Sequence, residues 1–357
     1  MGTRPRSVKA RWAWRIILLA GLLAIAGRIG WTIVFPHPSG ASAAALGRWL
    51  VMRDLSEVGA DTQLSLVDRL QDLLAEQDVM GAFPEPSPGQ LEQLVANVDL
   101  LSRVWFLARA RRYQEIPDNE RMEYLQRQVD AVMVWGEFEN QVHQEHRRQA
   151  GLEPSTDKPL RLLDSINDWI QAEAEAEQAE LQQSVYDAVL CWLVTSDVSE
   201  YEMSMRRAAA DRIAGVLDEG AAASADRLEL TSAHQEQLKD NAWLLFEAWF
   251  RNRAIEFAGL SGDDHVAYIE ARLDNVSNWG LERVLVSDGS DSEAATESSQ
   301  ARLFQVVGEL MAQLPDWIER APEDERAAFE NLAGQIKSNL VPYLLKKALP
   351  DLLRGIQ

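Results

Sequence analysis

The chain has 357 residues and a formal net charge of −21, which is distributed unevenly. Residues 1–35 contain six bases and no acid, whereas the rest of the chain contains 29 bases and 56 acids. Such an acidic body argues against nucleic-acid binding, because phosphate recognition needs clustered Lys and Arg.

The first predicted element is a membrane anchor. Residues 16–35 read IILLAGLLAIAGRIGWTIVF, long enough to cross a hydrocarbon core, and the preceding bases favour a cytoplasmic N-terminus. We therefore predict a basic cytoplasmic segment at 1–15, a transmembrane signal-anchor helix at 16–35 and a linker at 36–44, in a single-pass membrane protein with a periplasmic body. Arg28 interrupts the run. The alternatives are a signal peptide cut at the small residues 41–43 or a soluble N-terminal helix.

The body is predicted to be all-α. Apolar residues recur at spacings of three and four, and strand-like alternation is scarce. The predicted helices span residues 43–57, 62–77, 88–114, 119–148, 159–193, 184–200, 203–219, 230–258, 263–286, 300–319 and 323–349. Segment 287–300 is acidic, rich in Ser and free of large apolar side chains, so we predict a disordered insertion there.

Two parts of the chain resemble each other. Residues 97–136 and 241–280 align without a gap, and 12 of the 40 positions are identical. Upstream, WLVMRDLSE at 49–57 matches WLVTSDVSE at 192–200. Eight of the twelve tryptophans fall into matching pairs. Pairing of the rarest side chain indicates an internal duplication rather than coincidence.

The duplication predicts two tandem helical-bundle modules after the anchor, at 45–182 and 183–357. Each module is large enough to carry its own core. The repeated aromatic residues fall on apolar helix faces, so we expect them to fill equivalent core positions. They are Trp105, Tyr124, Trp135, Trp249, Tyr268 and Trp279.

Each copy also places an arginine between two aromatic residues. Arg109 lies four residues from both Trp105 and Tyr113, so it is expected to be partly buried and to need an anion. Because this spacing occurs in both copies, it predicts structural ion pairs across a helical hairpin in each. The predicted pairs are Arg109 with Asp130 and Arg253 with Asp274. A polar pocket built twice is the alternative interpretation.

Motifs for known chemistries are scarce. The sequence contains no GxSxG, GxGxxG, GxxxxGK[ST] or HExxH motif, and its one cysteine, Cys191, excludes a multi-cysteine zinc site. We therefore predict no catalytic residues and no cofactor. His143 and His146 are weak metal candidates, because they lie three residues apart on a predicted helix that also carries Glu139.

These features favour an interaction or scaffold module of the cell envelope, held to the membrane by its N-terminal helix and bound to a protein partner. One alternative is a carboxylate-based enzyme with its site in a cleft between the modules, which predicts acidic side chains with raised pKa values. Another is a small-molecule or lipid-binding protein, which needs an apolar cavity. The scaffold hypothesis predicts a shallow apolar groove.

Overall fold

The computed structural model describes residues 35–76, 86–153, 161–218, 228–279 and 299–354. All regular secondary structure in these ranges is helical, which confirms the all-α class. The α-helices are α1 (Ala43–Met52), α2 (Ala60–Glu76), α3 (Pro88–Gln114), α4 (Asp118–Gln149), α5 (Arg161–Gln171), α6 (Glu175–Thr195), α7 (Met203–Asp218), α8 (Ser232–Ala258), α9 (His265–Asn278), α10 (Ser299–Glu319) and α11 (Glu323–Arg354).

Three predicted segments lie outside the described residues. They are the basic segment 1–15, the membrane anchor 16–35 apart from its last residue, and the insertion 287–300, whose last two residues open α10. None of the helices within the described ranges is long and apolar enough to span a membrane.

The helix predicted near 43–57 ends at Met52 in the structure. Asp54 then caps a short 3₁₀ turn, Leu55–Glu57, by accepting a hydrogen bond from the backbone N–H of Ser56 at 2.9 Å. Asp197 accepts from Ser199 in the same way, also at 2.9 Å. Aspartate ends these helices because its side chain competes for backbone N–H groups.

The chain divides into two compact units. Unit 1 contains the described residues up to Arg109 and those from Ala131 to Leu162. Unit 2 contains Ala110–Asp130 and the described residues from Leu163 onward. The predicted module boundary between residues 182 and 183 falls inside α6.

In unit 1, a buried amide holds the end of α1. Asn97 on α3 donates from Nδ2 to the carbonyl oxygens of Leu50 (2.7 Å) and Arg53 (2.6 Å). Its Oδ1 accepts from the backbone N–H of Leu55 at 3.0 Å. The amide thus satisfies backbone groups that the helix end leaves without partners.

Helix α8 is the centre of unit 2 and packs against α6, α7 and α11. Its Asn241 donates to the carbonyl oxygens of Leu193 (2.6 Å) and Ser196 (2.7 Å), and it accepts from the N–H of Val198 at 3.1 Å. This is the pattern made by Asn97, with each partner 143 residues further along the chain.

Candidate functional site

Most of the predicted core aromatic residues are buried. Trp105, Tyr124, Trp135, Trp249 and Trp279 are each at most 8% exposed. The indole rings pair within each unit, with centroids 5.9 Å apart for Trp105 and Trp135 and 5.0 Å apart for Trp249 and Trp279.

Tyr268 is only half-buried, which differs from the expected core position. Its hydroxyl donates to the Glu256 carboxylate at 2.7 Å. Burial, followed by this hydrogen bond, raises the pKa of Tyr268 to about 12. The phenolic end therefore stays near the surface, where the charged Glu256 remains solvated.

Both arginines form ion pairs with acids that were not predicted. Arg109 Nη2 lies 2.8 Å from Asp68 Oδ1 on α2, and the predicted partner Asp130 is exposed. Arg253 Nη2 lies 2.7 Å from Asp211 Oδ1 on α7.

The other predicted acid, Asp274, accepts a hydrogen bond from the hydroxyl of Tyr343 at 2.7 Å. In both units the arginine thus turns toward the preceding helix, which presents a carboxylate at its level. Asp68 and Asp211 lie 143 residues apart, in the matching dipeptides Asp-Arg. That match was the sequence signal for the true partners.

Asp211, the acid of the second pair, is more strongly desolvated than Asp68, the acid of the first pair. The Asp211 side chain is 38% exposed, against 55% for Asp68. Burial raises the pKa of Asp211, although Arg253 and a hydrogen bond from Asn252 favour the charged form.

One of the two candidate metal-binding histidines lies in a polar cluster of unit 1. We use the name polar cluster for Asp99, Glu139 and His143, which could together hold a metal ion. His143 Nε2 lies 2.9 Å from Asp99 Oδ1 and 3.9 Å from Glu139 Oε1. His146 is half-buried and is not a member of the cluster. Asp99 could not be predicted from helical spacing, because it lies on a different helix, 44 residues before His143.

Unit 2 contains an apolar pocket of about 70 Å³ between α6, α7 and α8. Its lining, as far as the structure describes it, carries no charged side chain. The lining residues are Tyr186, Val189, Leu190, Leu193, Ala210, Ile213, Ala214, Leu217, Leu238, Ala242, Leu245, Phe246, Trp249 and Trp279. We call this site the unit 2 pocket.

The pocket exists because α7 places small side chains opposite large ones. Ala210 and Ala214 are four residues apart on α7 and so share a face. Across from them, α8 contributes Phe246 and Trp249, whose rings stack with centroids 5.7 Å apart.

The thiol of Cys191 is not a reactive group of this unit. Burial, and then the charge of Asp130, raise the pKa of Cys191 to about 12. A thiol in this state does not ionise near neutral pH and is a poor nucleophile.

No protein-family model matches the chain. Neither the curated proteins nor the solved structures contain a match to it. Functional arguments therefore rest on the sites themselves rather than on likeness of fold.

Proposed function

We propose that this protein is a membrane-anchored interaction module of the cell envelope, and that the unit 2 pocket receives one apolar side chain from a helix of a partner protein. The observation that carries the proposal is the pocket itself, an apolar concavity on a strongly acidic chain. Apolar pockets that take a single anchoring side chain are common at protein interfaces.

The size of the pocket favours a side chain over a free lipid. A volume of about 70 Å³ is roughly half that of an engineered cavity of about 150 Å³ that holds benzene. A long acyl chain therefore exceeds it, whereas one Leu or Ile side chain fills it in large part. Burial of such a side chain contributes about 1.5–3 kcal/mol to association.

The anchor is part of the proposal. It rests on the apolar run 16–35 and on the bases that precede it. An anchor with a cytoplasmic N-terminus places the acidic body, and with it the unit 2 pocket, on the periplasmic side. The partner is then a protein of the same compartment.

A duplicated helical module is the proposed origin of the body. Three sets of matching contacts support it, namely the amides of Asn97 and Asn241, the pairs Arg109–Asp68 and Arg253–Asp211, and the paired indoles of each unit. These sets recur at offsets of 143 or 144 residues.

Site-specific photo-crosslinking of the full chain in its membrane tests the proposed function. The crosslinking amino acid replaces Val189, a half-buried lining residue, and in the control replaces the exposed Asp240 on α8. We expect one protein adduct from position 189 and none from 240, with the crosslink mapped to an apolar residue of the partner. A lipid adduct, or equal adducts from both positions, would refute a protein partner at the pocket.

A further inference from the structure

The polar cluster lies where α3 and α4 face each other in unit 1. Asp99 is on α3, whereas Glu139 and His143 are one turn apart on α4 and therefore share a face. Trp105 follows Asp99 along α3, whereas the partner of Trp105, Trp135, precedes the partner of Asp99, His143, along α4. The two helices are therefore antiparallel in this part of the hairpin. The helical hairpin thus brings donors from two helices to one point.

The distances suit a small cation. One donor atom from each of the three residues lies within 4.8 Å of the other two. In a tetrahedral site with bonds of about 2.0–2.2 Å, the ligand atoms are about 3.5 Å apart. Side-chain rotations that move these atoms by about 1 Å would therefore complete the coordination.

Burial and charge favour an ion at this place. Glu139 is 4% exposed and His143 is 8% exposed. Two carboxyl groups and one imidazole meet here, and buried carboxylates are stabilised by pairing or by metal coordination. The side chain of Asp99 is 46% exposed, which gives an ion access from solvent.

Ser102 is another buried polar residue on this stretch of α3. It lies three residues after Asp99 and is fully buried. Its Oγ has no hydrogen-bond partner within the part of the chain that the structure describes.

We propose that Asp99, Glu139 and His143 bind one divalent transition-metal ion and thereby link α3 to α4. The donor set of one imidazole nitrogen and two carboxylate oxygens suits Zn²⁺ and its first-row neighbours. The site belongs to unit 1 and is independent of the unit 2 pocket, so either proposal can fail alone. The competing account is a simple hydrogen bond between His143 and Asp99.

Metal titration of the purified full-length protein separates these accounts. The protein is stripped with a chelator and titrated with Co²⁺, whose visible absorption reports nitrogen and oxygen ligation, and bound Co²⁺ is then displaced with Zn²⁺. The variants are Asp99→Asn, which retains a hydrogen-bonding side chain, and His143→Gln. His146→Gln is the matched control from the next turn of α4.

The proposal predicts one ion per chain. It also predicts affinity losses of about 100-fold or more in Asp99→Asn and His143→Gln, and none in His146→Gln. Circular dichroism of the metal-free proteins establishes whether the variants fold. If His143→Gln does not fold, the affinity of Asp99→Asn alone decides between the two accounts. Absence of binding in the unmodified protein would overturn the proposal. So would binding that is insensitive to Asp99→Asn, or an equal loss in His146→Gln.

Discussion

The α2–α3 contact of unit 1 and the α7–α8 contact of unit 2 use equivalent positions differently. In unit 1, Gln71 accepts a hydrogen bond from the indole N–H of Trp105 at 2.8 Å. The residue 143 positions later is Ala214, which has no acceptor and lies in the lining of the unit 2 pocket beside Trp249.

A second pair of matching residues also differs in side-chain volume. Val67 is fully buried in unit 1, and its counterpart in unit 2 is the smaller Ala210. On this helix face, two small side chains one turn apart in unit 2 thus stand where unit 1 has Val67 and Gln71. The comparison shows how side-chain volume on one helix face contributes to the unit 2 pocket.

The largest predicted effect tests whether the shared contacts are equivalent. Asn97→Ala and Asn241→Ala each remove an amide that bonds three backbone groups. Because buried polar groups without partners are costly, we expect each variant to lose about 3 kcal/mol of unfolding free energy. Chemical denaturation measures the loss, with the exposed Asn119→Ala as control. A large loss in only one of the two variants would break the equivalence.

The next effect converts unit 1 toward unit 2. Gln71→Ala leaves the indole N–H of Trp105 without its acceptor and creates a small cavity, so we expect a loss of about 2 kcal/mol. The reverse change, Ala214→Gln, fills existing space but places an amide among apolar side chains, so we expect a smaller loss of about 1 kcal/mol. Thermal unfolding of both variants checks this asymmetry. Equal losses would show that the unit 2 pocket is not open space.

A smaller effect distinguishes the two ion pairs. Arg253 is 14% exposed and Arg109 is 28% exposed, and only Asp211 also accepts from an asparagine, Asn252, at 2.6 Å. We therefore expect Asp211→Ala to cost about 1 kcal/mol and Asp68→Ala about 0.5 kcal/mol or less. Double-mutant cycles with the partner arginines would measure both coupling energies. A coupling that is stronger for Asp68 would contradict the burial argument.

The smallest effect near neutral pH concerns Cys191 of unit 2. Its pKa is raised from an ordinary 9.0 to about 12 in the folded chain. The protonated thiol therefore contributes stability that is complete below about pH 9 and is lost as the pH rises toward 12. Replacement of Cys191 by Ala should reduce the decline in unfolding free energy at alkaline pH. At pH 7 the thiol is protonated, so its ionisation contributes no difference between the two proteins. An unchanged alkaline slope would exclude this contribution.

The fold was largely predictable from sequence because helical periodicity is a local signal. Helix α3 has the predicted bounds 88–114, and α10 differs from its prediction by one residue. The break between α5 and α6, after Gln171, falls in a segment without Pro or Gly to mark its position. Helix α1 ends five residues before its predicted bound, and Asp54 caps the 3₁₀ turn that follows.

The site residues were harder to predict because their contacts join different helices. The burial of Trp105, Trp135, Trp249 and Trp279 was predicted from the repeat, whereas their pairing within each unit was not. The partners Asp68 and Asp211, by contrast, depended on which neighbouring helix faces each arginine, and periodicity carries no such information. The unit 2 pocket depends on the difference in volume between Gln71 and Ala214. That difference predicts a pocket only when the residue facing Ala214 on the next helix is known.

The most direct test of the account fills the unit 2 pocket with the side chain that unit 1 has at the matching position, a glutamine. Ala214→Gln is introduced into the chain that carries the photo-crosslinker at Val189, and Ser204→Gln, at an exposed position of α7, is the matched control. We predict that the partner adduct is lost with Ala214→Gln and retained with Ser204→Gln. An adduct that persists at full yield after Ala214→Gln would show that the partner binds without entering the pocket, and would contradict the account.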